Sequence, residues 1–436
     1  MSHADLSLLG AEFTCDPLAF LSAHRGQRVV RFRLNDQSHV LINDVRAVHE
    51  LLVGQADKFT RTEFTRESLR PFLGTGLLTA DGAQHRRQRR LMQPAFHHHR
   101  IEAYAEVMVR HIAQALDGWH PGDCLDVLEA MTHISLGVVT ESLFGENSSD
   151  AAADLHQMLV LMQAAQAAEL GRGHAFDERL SYVTNDARTI IGRIDERIHS
   201  LIQRRRASSA PGADLLGMLL TAAEDAQDTG MSDQQIRDEI ITLFIAGHET
   251  TSVTLTWAFW LLGRHPAVLE ALSDEVDTRL GAGRATPEQL AGLQMPTRII
   301  RETLRLYPTA WILFNRLAAE PAQLHDIAVM PGEIVILSPY AIQRDPRYFP
   351  DPDAFNPAHF VDGWEKQREK FSYFPFGGGS RICIGQHFAL MEAAFLLAMV
   401  AQRFRFRLTM PEAHITPQPL TTLQPDVPIE IELIAR

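Results

Sequence analysis

Apolar positions recur along this chain with two periods, one near two residues and one near 3.6. Gln27–Arg33 and Ser38–Ile42 are short alternating or β-branched runs that predict a hairpin or small sheet, and residues 44–53 then read as a helix. From Ile101 to about Leu220 the spacing is helical, with amphipathic runs at Val107–Trp119, Val127–Phe144, Ala151–Glu169 and Leu180–Arg205, and Arg204–Gly212 reads as a loop. The longest pattern begins at Ser232, which forms a capping box with Gln235, and continues to Arg264, where His265-Pro266 stops it. At 1.5 Å per residue it predicts a helix of about 45–50 Å, long enough to cross the molecule. Gln386–Val400 reads as a second buried helix, interrupted by one acid, Glu392. Thr309–Arg316, Ile334–Pro339, Phe404–Leu408 and Val427–Leu433 read as strands, and Lys58–Thr79 as an irregular apolar loop broken by Pro71, Gly74 and Gly76. The whole predicts a mainly α fold with small β-sheets (α+β).

Composition narrows this picture. With 436 residues, 45% of them hydrophobic, the chain can bury a large core in one domain or in two intimately packed ones. A net charge of −13 argues against a nucleic-acid partner. Arg86, Arg87, Arg89 and Arg90 nevertheless crowd into about a turn and a half, which suggests an acidic partner or anionic groups on a ligand. The three cysteines, Cys15, Cys124 and Cys383, are odd in number and far apart, so a reducing, cytoplasmic compartment is expected rather than a disulfide framework. The N-terminus lacks a basic region followed by a long apolar run, and Ile240–Gly263 carries His248 and Glu249, so no membrane anchor is expected.

Three stretches carry candidate chemistry. Phe374–Gln386 is a loop with Gly377, Gly378 and Gly379 in a row, able to approach a bulky, flat group closely, and Cys383 lies just before a helix N-terminus, where a thiolate is favoured. A buried structural cysteine is the plain alternative; a nucleophile would need a base that nothing singles out, and a haem thiolate beside the aromatic Phe376 fits better. Ala246-Gly-His-Glu-Thr-Thr251 places an acid and two hydroxyls inside an apolar helix, at a cost of several kcal/mol if they lack partners. His85 and Arg89, at i and i+4, can clamp a carboxylate, although a solvated charged helix would look the same. His97, His98 and His99 point in different directions on a helix and do not suggest a metal site.

Phe376-Gly-Gly-Gly-Ser-Arg-Ile-Cys383-Ile-Gly385 resembles the haem-binding loop of the cytochrome P-450 superfamily, Phe-Gly-x-Gly-x-x-x-Cys-x-Gly. Ala246–Thr251 is similar to its oxygen-activation motif, Glu302-Thr-Leu-Arg305 to its Glu-x-x-Arg pair, and His85/Arg89 to its propionate clamp, all in family order. Phe355-Asn-Pro-Ala-His-Phe360 departs from the family by carrying His359 where an arginine completes the Glu302–Arg305 network, which implies a pH-sensitive third member.

The resemblance implies a single domain over 1–436, a helical prism with its β-rich part mainly at about 25–60 and 309–340, and haem b between the long central helix and the cysteine loop. It implies Cys383 as the iron ligand, Phe376, Gly377, Ala246 and Gly247 beside the haem, His85, Arg89, Arg316 and Arg381 on its propionates, Thr250 at the dioxygen site and Glu249 as a proton relay. The implied activity is monooxygenation of an apolar small molecule, a terpenoid, fatty acyl or polyketide-like compound, with Phe64, Phe72, Leu243, Phe244, Trp311 and Leu313 as pocket candidates. Electrons would come from a separate ferredoxin and ferredoxin reductase docking near Arg86, Arg87 and Arg90 of a monomer. A peroxygenase or isomerase, and a haem sensor that would not need Glu249 and Thr250, are the alternatives.

Overall fold

The computed structural model describes residues 3–34, 36–145, 157–158, 176–208, 212, 214–224, 230–281 and 283–436. The expected helix at Ala151–Glu169 lies outside this set apart from two residues.

The N-terminal hairpin forms as the alternation predicts. β1 (Val29–Leu34) pairs antiparallel with β2 (Gln37–Ile42), Val29 opposite Ile42. β3 (Phe59–Arg61), β4 (Arg316–Ala318) and β5 (Ile334–Ile336) complete a five-stranded sheet in the order β1-β2-β5-β4-β3, in which β2 and β5 run parallel. One face covers Val40, Ile42, Val335, Phe371 and Phe374, and the other packs Phe32, Leu41 and Ile336 against Phe13, Phe20 and Trp311. A hairpin of β6 (Pro417–Pro419) and β7 (Leu423–Pro425) and a three-stranded sheet from Cys124–Asp126, Glu430–Ile434 and Arg405–Leu408 lie near the C-terminus.

Three segments differ from the sequence expectation. Residues 58–79 are not one loop: after β3, Thr62 caps α1 (Glu63–Leu73) by accepting the Thr65 N–H at 3.2 Å, and Pro71, which cannot donate to the preceding turn, stands two residues before the helix ends. Thr309–Phe314 is not a strand, and only Arg316–Ala318 pairs. The Trp311 carbonyl accepts the Ser338 hydroxyl at 2.8 Å, and the Trp311 indole N–H donates to the Leu420 carbonyl at 2.8 Å, so side chains take the place of a ladder. The helix expected at 44–53 is capped by Asp44 but passes after His49 into a π-helical turn, Glu50–Gly54.

The helical part is layered around the central helix. α2 (Gly82–Met92), α3 (His98–Asp117) and α4 (Val127–Phe144) precede it, and α5 (Asp233–Arg264) opens on the expected capping box, both of whose bonds form. α5 packs most extensively on α4, at a point where a Cβ on Gly247 would come within 2.9 Å of Val139. α6 (Met295–Leu306) and α7 (Gln386–Arg403) close the core, with α7 against α3, α5 and α6. Among the described residues, no helix is long and apolar enough to cross a membrane.

Glu302 and Arg305 of α6 are completely buried and paired at 2.7 and 2.8 Å. The remaining Arg305 donors go to the carbonyls of Gln343, Pro352 and Ala354 at 3.1, 2.6 and 2.7 Å, which satisfies the whole guanidinium. His359 reaches Glu302 through Nδ1 at 3.2 Å, as a replacement for arginine should. Arg368 also lies close enough to feel the Glu302 charge, and its guanidinium stacks on Phe349, which Arg305 also faces. A permanent cation therefore supports the pair whatever the state of His359.

Glu392 of α7 is fully buried with no hydrogen bond of normal geometry to either oxygen; Ser135 of α4 is the polar group facing it. Burial pushes its carboxyl up to about 8, so the folded protein holds it neutral. A raised acid costs nothing below its ordinary range and progressively more as pH rises to its folded value. Urea unfolding of Glu392→Gln is therefore expected to gain on wild type by about 3 kcal/mol between pH 5 and pH 8. A difference that stays flat across that range would show that Glu392 is ionised in the fold.

Candidate functional site

The cysteine loop hangs from the buried ion pair. The Gln343 side-chain amide donates to the carbonyls of Leu304 and Arg305 at the end of α6, and its oxygen accepts the Phe374 N–H at 2.9 Å. From there the Gly377 N–H bonds the Phe374 carbonyl and the Cys383 N–H bonds the Phe376 carbonyl, each at 2.9 Å, closing the loop. Gly377 and Gly379 adopt φ of +72° and +65°.

The glycines do not all serve one purpose. A Cβ on Gly378 would lie 2.3 Å from the Phe371 ring, and one on Gly379 would lie 1.8 Å from the Leu52 carbonyl oxygen. These two let the loop press onto the π-helical turn and its neighbours, not onto a flat ligand. Only Gly377 faces open space, its nearest neighbours being the Leu313 methyls at 3.8 and 3.9 Å.

Cys383 keeps accessible surface although it lies deep among protein atoms, so it opens onto an interior hollow. Burial pushes its thiol up; the Gly385 N–H and the Arg89 charge favour the anion but do not outweigh burial.

A break in the burial of α5 marks a second wall. Between Ile236 and Leu262, every residue is buried except Ala246, Gly247 and Thr250. These share one helix face, so α5 carries a single notch, with a threonine in it. Gly247 also makes room for Val139, so the close approach it permits is that of α4. The Thr250 hydroxyl donates to the Ala246 carbonyl at 2.7 Å, and Thr251, Ser252, Thr254 and Thr256 bond back in the same way, with the helix unbroken. Glu249 is buried and turned toward the β6–β7 hairpin, where one oxygen accepts the Thr422 hydroxyl at 2.8 Å and the Gln424 amide at 3.2 Å.

The third part is a cluster of cations. Arg89 donates to the Ile382 carbonyl at 2.6 Å, Arg316 to the Phe314 carbonyl at 2.5 Å, and Arg381 to the Ala80 carbonyl and the Asp81 carboxylate. Opposite Arg316 in the β3–β4 ladder stands Arg61, which sequence reasoning missed because its segment reads as the start of a loop. Arg61 is buried, faces the Phe314 ring, and has no hydrogen-bond partner on Nε or Nη1. Burial and the charges of Arg316 and Arg381 drive it well below the usual arginine range, and burial with Arg381 pushes Arg316 down to about 10. Burial, then Arg381, Arg89 and Arg61, push His85 down to about 4, so it is a neutral hydrogen-bonding group here and not a cation. Asp81 is the carboxylate that acts on these groups, and the surplus of positive charge calls for an anionic ligand with carboxylate-like acceptors.

The remaining candidates divide. Trp311 is buried between the sheet and the N-terminal helices and does not face the hollow; Phe72, Leu243 and Phe244 belong to the main core, and Leu313 is half-buried beside Gly377. The side chain of Phe64 lies outside the described residues. On α2, Arg86 and Arg90 are exposed, whereas Arg87 donates to the Gly230 carbonyl and is not a free surface charge. Among the described residues no cluster of His, Cys, Asp and Glu could hold a metal ion by itself.

The chain is similar to known proteins over most of its length. A family profile described as cytochrome P450 matches residues 20–433. The chain is 36% identical over 431 residues to a protein named Cyclooctatin synthase from Streptomyces melanosporofaciens, covering 96% of this chain and 90% of that one. It is 32% identical over 343 residues to Cyclooctat-9-en-7-ol 5-monooxygenase of the same organism, covering 78% and 74%. The solved structure of a cytochrome P450DA heme domain superposes with a TM-score of 0.86 over 97% of this chain and 93% of its own, at 24% identity.

The cation cluster predicts an unusual sign for one substitution. In the protein without bound cofactor, Arg61→Met removes a buried, uncompensated charge and is expected to raise the unfolding free energy by roughly 1–3 kcal/mol. Denaturation in urea at low salt measures it, and a loss of stability of that size would mean that Arg61 already has its counter-charge within the protein.

Proposed function

Since this chain belongs to the cytochrome P450 family, we propose that it inserts one oxygen atom from dioxygen into an apolar terpenoid skeleton, with electrons delivered by a separate ferredoxin and its reductase. It is a monooxygenase of that family, an oxidoreductase. Members of the family bind haem b, and the residues present fit that group: a cation surplus with unpartnered buried donors on Arg61 suits two carboxylates, and Cys383 opens onto the same interior. A thiolate-ligated haem supplies the activation of dioxygen for attack on an unactivated C–H bond.

The chain's own residues take the following roles in this reading. Cys383 would hold the haem iron through its sulfur; its own N–H is fixed on the Phe376 carbonyl, and the Gly385 N–H and Arg89 favour its anion. His85, Arg89, Arg316, Arg381 and, in addition, Arg61 hold the carboxylates. Phe376 and Gly377 would lie beside the bound group, and the notch at Ala246, Gly247 and Thr250 is the opening in α5 that would admit it. Thr250 offers a hydroxyl in that notch, and Glu249 carries a proton between the hairpin side and the notch. That α5 between Ile236 and Leu262 is unburied only at these positions, with Thr250 among them and Glu249 adjacent, is the observation that carries the reading.

The substrate class rests on relatives named for cyclooctatin and cyclooctat-9-en-7-ol. The cysteines, none of them paired, suit a cytoplasmic protein. Arg86 and Arg90, one turn apart and exposed on α2, form the docking point for an acidic ferredoxin.

Carbon monoxide added to the reduced holoprotein is expected to give a strongly red-shifted Soret band that Cys383→Ser abolishes. Arg61→Met is expected to keep the band but to release haem to apomyoglobin several-fold faster. Titration with cyclooctat-9-en-7-ol should change the haem spin state; a saturating amount with no spectral response would remove this substrate class. A second expectation concerns docking. Arg86→Glu with Arg90→Glu should raise the ferredoxin concentration for half-maximal turnover about tenfold at low salt and flatten its salt dependence. Unchanged values would place the ferredoxin elsewhere.

A further inference from the structure

We infer that Thr422 and Gln424, on the hairpin 170 residues downstream of the central helix motif, are positioning residues that hold the Glu249 carboxylate in its resting orientation, with Thr422 as the principal donor. The inference rests on the reading of Glu249 as the acid that carries a proton to the notch in α5.

Three side chains form one directed chain of hydrogen bonds. The Gln424 amide donates both to the Thr422 hydroxyl and to the Glu249 oxygen, each at 3.2 Å, and Thr422 donates its proton to the same oxygen at 2.8 Å. Both donors are neutral, and two donated hydrogen bonds favour a carboxylate over a carboxylic acid. Glu249 and Thr422 are buried, so these bonds form out of competition with water.

The hairpin is fixed independently of this contact. The indole N–H of Trp257, on α5 itself, donates to the Leu423 carbonyl at 2.7 Å, and the Leu423 N–H donates to the Thr309 carbonyl at 3.0 Å. Trp311 donates to the Leu420 carbonyl at 2.8 Å. Thr422 therefore sits between backbone groups pinned on both sides, and its hydroxyl is brought to Glu249 by a framework that does not need Glu249. A carboxylate retained only to fasten this hairpin would be redundant with those bonds and would incur the cost of burying a charge. Holding the acid of the helix motif at a set distance from the notch accounts for both. The Trp311 expected to line the pocket acquires a different role: it helps set the hairpin that sets Glu249.

The test uses the holoenzyme and needs no identified substrate. With NADH, a surrogate ferredoxin and its reductase, the protein consumes dioxygen, two electrons and two protons per hydrogen peroxide released, and the rate is compared in H₂O and D₂O. Thr422→Val, nearly isosteric, is expected to lower the rate at least about threefold and to change the solvent isotope effect, whereas Thr422→Ser restores both. In a Glu249→Gln background, Thr422→Val should have no further effect, and the unfolding free energies of the four proteins should be non-additive in the same sense. Equal effects of Thr422→Val in both backgrounds would assign Thr422 a structural role and overturn the inference. A Thr422→Val protein like wild type, beside a Glu249→Gln protein that is impaired, would overturn it while leaving the Glu249 reading intact. A silent Glu249→Gln would overturn that reading, and the inference with it.

Discussion

The Arg305 guanidinium is the fixed point from which the cysteine loop is hung. With Glu302 it is wholly removed from water, and such a pair is tolerable only because every donor finds an oxygen: two on Glu302 and three on the carbonyls of Gln343, Pro352 and Ala354. Those carbonyls belong to the segment that leads to the cysteine loop, and Gln343 passes the constraint to Phe374 through its side chain. The loop is held from this side, while Gly378 and Gly379 fit it against Phe371 and Leu52 on the other. The position of Cys383 is thereby decided by groups that never approach it.

Against this rigid frame the interior is electrostatically unbalanced in two directions. Burial lowers Arg61, Arg316 and Arg381, and Arg381 adds to the effect on the other two, while Glu392 and Glu239 are acids that burial pushes up to about 8. Glu239 accepts the Leu77 N–H at 2.8 Å and so ties the α1–α2 connection to the central helix. Buried polar groups of this kind are retained in a fold against the grain of packing energetics, and they mark where a ligand or a moving segment must be accommodated.

Much of this was legible in the residues. The capping box at Ser232, the stop at His265-Pro266 and the β1–β2 hairpin are short-range signals with local physical causes, and each is found where the pattern put it. Elements whose form depends on distant partners were not legible: Thr309–Phe314 has strand-like residues but gives its Trp311 carbonyl to Ser338, and the helix at Glu63–Leu73 was obscured by a proline two residues before its end. The candidate site followed the same division. Cys383, His85 and Arg89 stand out through motif spacing, and Arg316 and Arg381 through the family resemblance, but Arg61 belongs to no motif and is identified only by its place opposite Arg316 and its two unpartnered guanidinium nitrogens. Thr422 in the turn of the β6–β7 hairpin and Gln424 in β7 carry no sequence sign of chemistry, and only the fold brings them to Glu249.

The buried cluster around Arg61 also bears on how the protein is made. A newly folded chain must assemble β3 and β4 with their arginines opposed and underneutralised, so the unloaded form is the less stable of the two the cell contains, and a ligand that binds only the folded chain shifts the balance by mass action. Proteases act on the unfolded fraction, which is largest where cofactor is scarce. The charges that would retain the cofactor thus also link binding to folding: a bound anion stabilises the folded chain and lowers its exposure to proteolysis.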